Sequence, residues 1–395
     1  MSIRKYIVYF FILASCKVQQ QTGNQQTNQT ETVKQTEETK PSLAKGPALS
    51  REDSLDLKIG QMILVGINDR TSLSANDPLF KEFKSNKIGG ICLFEKNIAK
   101  TNSKEAMKKL VADMQAASNI PLFITIDEEG GKVHRLKDKY GFIKVPSAAY
   151  LGNLNNADST LYHGRKLAGL LAELGINMNF APSIDLWINK NNPIIAKVER
   201  GYSADPETTT RHAGLFIQAH RENNVLTVLK HFPGHGSSAD DTHLGMANVT
   251  DRWKIIELFP YKNLIREGNC DAIMTAHIVN CHLDTACLPS TLSKTVITGV
   301  LRNLLEYNGV VFSDDMQMHA ISKHYGIESA VKLSILAGVD VVLFGNNVNA
   351  NDRITATEIH NIIKKLVISG EIPEARINES YQRIIRLKEA RLVKM

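Results

Sequence analysis

Residues 225–236 are Val-Leu-Thr-Val-Leu-Lys-His-Phe-Pro-Gly-His-Gly, and they predict a buried strand that passes directly into a polar loop. The apolar run Val225–Leu229 has the length and composition of a strand inside a domain. Pro233 and the glycines around it then exclude a helix, so an ordered loop follows. One lysine, three histidines and two aspartates lie between residue 230 and Gly245. Because unpaired buried charges are costly, such crowding at a strand end indicates a functional site.

The pattern of that strand recurs along the chain from Leu57 onward. Eight short apolar runs predict strands: Met62–Val65, Gly90–Phe94, Leu122–Ile126, Asn177–Ala181, Val225–His231, Ala272–Thr275, Val310–Ser313 and Val339–Phe344. Amphipathic segments between and after them predict helices: Lys104–Ser118, Tyr162–Leu174, Thr208–Glu222, Ile255–Glu267, Ser293–Leu305, Glu328–Ala337 and Thr355–Ser369.

Apolar strands that alternate with helices indicate a parallel sheet covered on both faces. We therefore predict an α/β fold, a single (β/α)8 barrel of the TIM type over residues 51–395, with its active site at the C-terminal strand ends. A doubly wound open sheet is the alternative, but no Gly-x-Gly-x-x-Gly follows the first strand.

Asp241 and His243 are the first candidates for catalysis. Residues two apart in an extended segment point the same way. A carboxylate beside an imidazole fixes its tautomer and makes it a proton donor and acceptor near neutral pH. The alternatives are a solvated loop with an incidental ion pair, and a metal site of His231, His235 and His243. Pro233 and its neighbouring glycine exclude the helix that a metal pair at this spacing needs, so we predict no metal.

The motif Lys-His-Phe-Pro-Gly-His-Gly at 230–236, followed by Asp-Thr-His at 241–243, closely resembles the family-3 glycoside hydrolases, specifically their bacterial β-N-acetylglucosaminidase branch. The resemblance implies that Asp241 and His243 form the general acid/base dyad, and that Lys230 and His231 bind sugar hydroxyls. It also implies a barrel fold and no metal or organic cofactor.

Two further segments extend the resemblance to substrate binding. Residues 127–135, Asp-Glu-Glu-Gly-Gly-Lys-Val-His-Arg, resemble the family's D-x-E-G-G-R-V-x-R, with Lys132 in place of the first arginine. By position, Asp127 and Arg135 then bind sugar. Residues 199–205 resemble the family's N-R-x-F-x-x-D, which implies that Arg200 binds substrate, although Glu199 replaces the usual Asn or Asp.

The seventh predicted strand ends in Ser-Asp-Asp-Met-Gln-Met at 313–318, which resembles the family's [ST]-D-x-[LM]-x-M. The resemblance implies that Asp314 is the nucleophile. Neighbouring residues of an extended strand face opposite sides, so we expect Asp315 to cap the following helix instead. Asp185 resembles a family position that we expect to be structural, and His277 is either a cavity residue or a structural one.

Together these motifs predict a retaining exo-β-N-acetylglucosaminidase, a β-N-acetylhexosaminidase. It would hydrolyse terminal, non-reducing β-linked N-acetylglucosamine from peptidoglycan fragments or chito-oligosaccharides through a covalent intermediate on Asp314. The alternatives are a phosphorylase that acts on the same linkage, a family-3 β-glucosidase or β-xylosidase, and a non-catalytic sugar-binding lipoprotein.

The N-terminal residues predict export and membrane attachment. Arg4 and Lys5 precede the apolar run Tyr6–Leu13, which is too short to span a membrane. Leu-Ala-Ser-Cys at 13–16 resembles a bacterial lipobox, which implies a signal peptide at 1–15 and lipidation of Cys16. Polar residues to position 50 predict a disordered tether. We therefore expect an exported bacterial lipoprotein on the periplasmic face or the cell surface; the alternative is an ordinary secretory peptide.

Composition limits the remaining partners. The net charge of +6 is mild, and no basic run with interleaved aromatic residues occurs, so we expect no nucleic-acid partner. We expect a monomer. Cys92 and Cys270 lie in or beside apolar runs and are expected to be buried thiols, whereas Cys281 and Cys287 share one loop and are either paired or free.

Overall fold

Eight parallel strands close into a barrel in the computed structural model, which describes residues 51–74, 76–241 and 245–392. In chain order these strands are β1 (Ile63–Gly66), β2 (Gly90–Leu93), β3 (Phe123–Ile126), β4 (Met178–Asn179), β5 (Leu226–Phe232), β7 (Ala272–Thr275), β9 (Val310–Asp315) and β10 (Val341–Phe344), and β10 pairs with β1. All eight predicted strands are present. The (β/α)8 barrel is confirmed, and the open sheet is excluded because every barrel strand has two neighbours.

Two short strands lie outside the barrel. These strands, β6 (Ala247–Asn248) and β8 (Ile278–Val279), pair in parallel above the ends of β5 and β7. A small apolar cluster of Ala247, Val249, Ala276 and Ile278, with Trp253 packed against it, supports this pair. The pairing holds the end of the long loop that follows β5.

Helices cover the barrel. They are α1 (Arg51–Gln61), α2 (Pro78–Lys84), α3 (Ser103–Ala117), α4 (Ala148–Leu154), α5 (Ala157–Glu173), α6 (Pro206–Arg221), α7 (Phe259–Arg266), α8 (His319–Tyr325), α9 (Ile327–Ala337), α10 (Ala356–Ile368) and α11 (Glu374–Arg391). The predicted helix 255–267 is a 3-10 turn followed by α7, and the predicted helix 293–305 is π-helical over Thr295–Leu304. The prediction does not include α1, α2, α4, α8 or α11.

Aromatic side chains fill the inside of the barrel. Phe312 of β9 meets Phe123 of β3 with ring centroids 5.9 Å apart, and meets Phe180 at 5.8 Å, both edge to face. Since β3 and β9 are not neighbours in the sheet, these contacts cross the interior. At the opposite end from the site, Lys388 of α11 lies over the Phe123 ring, 4.5 Å from its centroid. The inside of the barrel is therefore a packed core.

Two β-bulges interrupt the barrel near its C-terminal mouth. Leu229 pairs with Ile273, but Phe232 pairs with Thr275, so β5 has one residue more than β7 in that interval. A matching shift gives β9 one extra residue against β10 before Asp315. A bulge disturbs the strict alternation of side chains. Both bulges fall where the sequence motifs place consecutive polar residues.

Some sequence-based expectations lie outside the described residues: the signal peptide at 1–15, the lipidated Cys16, the tether at 16–50, and His243. None of the helices that the structure describes is long and apolar enough to cross a membrane. Cys281 and Cys287 form a disulfide. Cys92 is a buried thiol as expected, whereas Cys270 is partly exposed.

Candidate active site

A buried lysine at the end of β5 joins two carboxylates from the loop after β3. The ammonium of Lys230, a residue only 1% exposed, lies 2.7 Å from Asp127 Oδ1 and 2.6 Å from Glu129 Oε1. Arg200 donates two hydrogen bonds to Glu129, from Nη2 at 2.7 Å and from Nε at 2.9 Å. Arg135 Nη2 approaches Asp127 Oδ2 at 3.3 Å. The cluster thus contains three cations and two carboxylates, so one positive charge is in excess.

These contacts keep both carboxylates ionised. Burial alone would raise the pKa of Asp127, but the charges of Lys230 and Arg135 outweigh it and hold the pKa well below its usual range. Burial likewise opposes ionisation of Glu129, yet Arg200 and Lys230 lower its pKa to about 2. Asp127 therefore presents a permanent hydrogen-bond acceptor to any hydroxyl that enters the site.

Asp185 orients the imidazole of His231. Its Oδ2 lies 2.7 Å from His231 Nδ1, and its Oδ1 accepts a hydrogen bond from the backbone N–H of His235 at 2.7 Å. On the other side of the ring, Arg200 Nη2 lies 3.1 Å from His231 Nε2. Because a guanidinium only donates, Nε2 accepts and Nδ1 holds the hydrogen. The expected structural role of Asp185 is thus to fix one tautomer of a predicted binding residue.

The loop after β3 is shaped around Glu128, a fully buried carboxylate. It accepts hydrogen bonds from the backbone N–H groups of Arg135 at 2.9 Å and Leu136 at 3.0 Å, and it contacts His134 Nδ1. Asn179 of β4 forms two hydrogen bonds with the backbone of Glu128. Its Oδ1 accepts from the Glu128 N–H at 3.1 Å, and its Nδ2 donates to the Glu128 backbone oxygen at 2.9 Å. These bonds fold the loop back on itself, so Arg135 returns to Asp127.

Asp314 and Asp315 end β9, and both line the cavity at the barrel mouth. The expectation that only one of them faces the site is wrong, because the bulge in β9 breaks the alternation. Their environments differ. Asp315 Oδ1 accepts backbone hydrogen bonds from Gln317 at 3.0 Å and Gly345 at 3.1 Å, whereas Asp314 Oδ1 accepts the Asp315 N–H at 2.8 Å. Nor does Asp315 cap a helix, since Met318 is the N-cap of α8.

His277 is a structural residue. It is fully buried; its Nδ1 lies 2.8 Å from Thr291 Oγ1 and its Nε2 lies 3.0 Å from the backbone oxygen of Asp315. The sequence left two roles open for His277, a cavity residue or a structural one, and these contacts favour the structural role. The histidine helps to hold the end of β9 in place.

The loop between β5 and Asp241 rests on the buried Glu257. This carboxylate accepts hydrogen bonds from the backbone N–H groups of Gly236 at 3.0 Å and Ser237 at 3.3 Å. Burial raises the pKa of Glu257 to about 8. Trp253 Nε1 also donates to the backbone oxygen of Pro233 at 3.2 Å. The start of this loop is thus fixed to the barrel, and Asp241 reaches the cavity from it.

A single cavity of about 610 Å³ brings the predicted site together. Its walls include every predicted catalytic or binding residue that the structure describes: Asp127, Arg135, Arg200, Lys230, His231, Asp241 and Asp314. Within the described ranges, no group of three or more His, Cys, Asp or Glu side chains is arranged to hold a metal ion. Sequence reasoning missed Glu129, which bridges Lys230 and Arg200, although it lies inside the quoted 127–135 motif.

Comparison with known proteins places this site in a family. The chain matches the family described as "Glycosyl hydrolase family 3 N terminal domain" over residues 54–387. A beta-hexosaminidase of Tolumonas auensis is 34% identical over 265 residues, covering 66% of this chain and 76% of the relative. Beta-hexosaminidase LpqI of Mycobacterium tuberculosis is 30% identical over 341 residues, covering 84% and 82%.

Solved structures agree. A family-3 β-N-acetylglucosaminidase from Paenibacillus sp. str. FPU-7 superposes with a TM-score of 0.78 at 34% identity, covering 88% of this chain and 64% of that chain. This chain thus spans less than two thirds of that protein. The structure of M. tuberculosis LpqI gives a TM-score of 0.72 at 28% identity, covering 86% and 94%. With the matched motifs lining one cavity, these likenesses confirm the expected family: the chain belongs to glycoside hydrolase family 3.

Proposed function

We propose that this glycoside hydrolase removes terminal, non-reducing β-linked N-acetylglucosamine from glycans with retention of anomeric configuration. Its relatives and structural neighbours include proteins named beta-hexosaminidase and β-N-acetylglucosaminidase, which favours this linkage over a glucoside or xyloside. The observation that matters most is the cavity in which Asp314 shares one space with the ionised Asp127 cluster and with Asp241.

In the first step, a carboxylate oxygen of Asp314 attacks the anomeric carbon, and the bond from that carbon to the leaving oxygen breaks. His243, oriented by Asp241, gives its proton to the leaving oxygen, so the leaving group departs as an alcohol. The product is a glycosyl ester on Asp314. The transition state resembles an oxocarbenium ion, which nearby carboxylates stabilise.

In the second step, His243 takes a proton from water while the water oxygen attacks the anomeric carbon. The ester bond to Asp314 breaks, and the sugar leaves with the configuration it had in the substrate. Two inversions thus give net retention. The usual scheme employs two carboxylates, and here an Asp–His pair takes the place of the acid/base carboxylate.

The Asp127 cluster supports the binding part of the proposal. Asp127 accepts hydroxyl hydrogens, while Arg135, Arg200 and Lys230 donate to hydroxyl oxygens. Since Lys230 and His231 are already held by Glu129 and Asp185, little side-chain entropy is lost when a sugar binds. A preorganised cluster of this kind suits the binding of a terminal sugar.

Four assays test the proposal. Proton NMR of the first sugar released should show the β-anomer; initial release of the α-anomer would exclude a glycosyl-Asp314 intermediate. 4-Nitrophenyl N-acetyl-β-glucosaminide should be hydrolysed faster than the glucoside or xyloside, and the reverse order would favour a β-glucosidase or β-xylosidase. A sugar phosphate formed in phosphate buffer would identify a phosphorylase, and binding without turnover would identify a sugar-binding protein.

We also propose that Cys16 anchors the exported protein to a membrane, on the grounds of the lipobox-like residues 13–16 and the polar segment after them. Wild-type protein expressed in a bacterium should fractionate with membranes, and Cys16→Ala should not. Equal distribution of both forms would contradict lipidation at this residue. The expectation of a monomer stays a prediction, which light scattering of the detergent-solubilised protein would check.

A further inference from the structure

The backbone of Glu128 joins the two carboxylates of the binding cluster, because Asp127 and Glu129 flank it in the chain. The pairing of β3 with β4 ends just before this residue, at Ile126 and Asn179. Beyond that point the Asn179 side chain is the partner, bonded to both the N–H and the backbone oxygen of Glu128. Asn179 therefore holds the peptide units between the two carboxylates, although it does not itself line the catalytic cavity.

The amide of Asn179 has one hydrogen left to place. A side-chain amide has an oxygen that accepts and a nitrogen with two hydrogens to donate. Glu128 takes up the oxygen and one of these hydrogens. The remaining hydrogen points to Nε2 of His220, 3.1 Å from Asn179 Nδ2. Since Asn179 is fully buried, loss of this acceptor would leave an unpaired donor inside the protein.

The tautomer of His220 is set within its own helix, α6. Its Nδ1 lies 2.9 Å from the backbone oxygen of Phe216. Because a carbonyl oxygen only accepts, Nδ1 carries the hydrogen and Nε2 is the acceptor. Burial lowers the pKa of His220 to about 4, so the ring is neutral at pH 7. The ring also packs on Phe216, with centroids 4.0 Å apart, which holds the acceptor in one place.

The end of α6 that carries His220 is fixed to the barrel. The next residue, Arg221, donates to Asp271 Oδ1 from Nε at 3.0 Å and from Nη2 at 2.9 Å. The other oxygen of Asp271 accepts from the N–H of Thr227 at 3.1 Å and from its hydroxyl at 2.9 Å. Thr227 belongs to β5, the strand that also carries Lys230. The imidazole is therefore held in register with a strand of the binding cluster.

We propose that His220 is a positioning residue for sugar binding: through Asn179 it fixes the backbone of Glu128, and with it the placement of Asp127 and Glu129. The inference rests on the proposed binding of sugar by that cluster. Neither His220 nor Asn179 lines the cavity, so both act through the residues that they hold. Contacts made equally in the ground state and the transition state affect KM more than kcat.

Two substitutions separate this role from simple packing. Gln places its amide oxygen near the position of Nε2 and can accept from Asn179, whereas the shorter Asn reaches only the Phe216 oxygen. Both remove the ring, so both should lower the temperature of thermal unfolding. With 4-nitrophenyl N-acetyl-β-glucosaminide, His220→Asn should raise KM about 3–10-fold, as the loss of one buried hydrogen bond implies, and change kcat less. His220→Gln should keep KM within about twofold of wild type.

His212 supplies the matched control. It is a second fully buried histidine of α6, with Nδ1 2.7 Å from Thr160 Oγ1 and its ring stacked on Tyr202. His212→Asn and His212→Gln repeat the two changes and should leave KM at its wild-type value, even where they lower the unfolding temperature. Equal KM values in His220→Asn and His220→Gln, whether at the wild-type level or raised alike, would overturn the positioning role.

Asn179→Ala tests the route from the helix to the loop. It removes the bonds to Glu128 as well as the bond to His220, so KM should rise by about tenfold or more. Adding His220→Asn to this variant should raise KM no further, because its partner is gone. The same factor in both backgrounds would overturn the proposal. So would a wild-type KM in folded Asn179→Ala protein, a result that counts even where the His220 variants do not fold.

Calorimetric titration with N-acetylglucosamine keeps this proposal apart from the proposed hydrolysis. The Kd should follow KM, rising about 3–10-fold in His220→Asn and little in His220→Gln. Wild-type protein that binds this sugar but does not turn over the nitrophenyl substrate would refute the hydrolysis, and the Kd values would then decide the positioning role. Wild-type protein that does not bind the sugar would refute both.

Discussion

Asp185 Oδ2 lies 2.7 Å from Nδ1 of His231, and this contact sets which ring nitrogen faces the cavity as an acceptor. Asp185 is 1% exposed and comes from the segment after β4, whereas His231 is the last residue but one of β5. Burial opposes ionisation of Asp185, but the neighbouring His231 and the N–H of His235 hold its pKa well below the usual range. Asp185 is therefore ionised and lies outside the cavity lining, and it positions His231, which lines the cavity.

Asp185→Asn should weaken substrate binding. A hydrogen bond to a charged group contributes about 1.5–3 kcal/mol, so kcat/KM should fall ~10–100-fold, mainly through KM. Steady-state kinetics on the nitrophenyl substrate measure the split between kcat and KM. Ser183→Ala is the matched control, because it removes only a hydroxyl that donates to the same carboxylate at 3.1 Å. An unchanged KM in a folded Asp185→Asn protein would contradict the positioning role.

Asp314→Ala should lower kcat by at least about 10³-fold, because it removes the carboxylate on which the proposed glycosyl ester forms. Azide should restore part of the rate by attacking from the vacated side, giving an α-glycosyl azide that NMR identifies. Asp315→Asn is the matched control. The Asp315 carboxylate accepts hydrogen bonds from the backbone of Gln317 and Gly345, so this substitution should mainly lower the temperature of thermal unfolding and affect kcat less. Azide rescue of the Asp315 variant instead would indicate that Asp315, and not Asp314, is the nucleophile.

His243→Ala should slow substrates in proportion to how poor their leaving group is. Loss of a general acid costs about 10²–10⁴-fold for alkyl and sugar leaving groups, but less for nitrophenolate, which departs without a proton. Asp241→Asn should give the same pattern at smaller amplitude. A plot of log kcat against leaving-group pKa tests this, and parallel lines for wild type and His243→Ala would contradict the acid/base assignment.

The barrel could be predicted because it depends on local signals, and the motifs that resemble the family named residues that line one cavity, whose roles stay predictions. Apolar runs of strand length recur eight times, and polar motifs follow them directly. The arrangement of Asp314 and Asp315 could not be predicted, since the bulge in β9 comes from its register against β10, some 30 residues away in the chain. Alternation is a rule for regular strands, and it does not hold at a bulge.

The sequence also gave no sign of the role of Glu129, because its ion pairs join residues that are distant in the chain. Glu129 joins Lys230 and Arg200, which lie 101 and 71 residues later in the chain. No spacing in the sequence predicts such a contact. Only the closing of the barrel brings the ends of β3 and β5 to one cavity, where a buried lysine needs compensating charge.

We expect Lys388 to make the stability of the protein depend on pH, independently of catalysis. It is fully buried at the end of the barrel away from the cavity, where its ammonium donates to Gln61 Oε1 and to the backbone oxygen of Gly89, both at 2.8 Å. No carboxylate within the described residues pairs with it. Burial therefore lowers its pKa to about 7.

Between pH 7 and about 10, the folded state then binds fewer protons at Lys388 than the unfolded state, whose lysine titrates near 10.4. The free energy of unfolding should rise with pH over this window, by at most about 1.4 kcal/mol per pH unit from this group. Urea unfolding at pH 7, 8 and 9 should show a smaller slope in Lys388→Met than in wild type. Lys84→Met, which removes an exposed lysine, should keep the wild-type slope; equal slopes in all three proteins would mean that Lys388 is charged in the folded barrel.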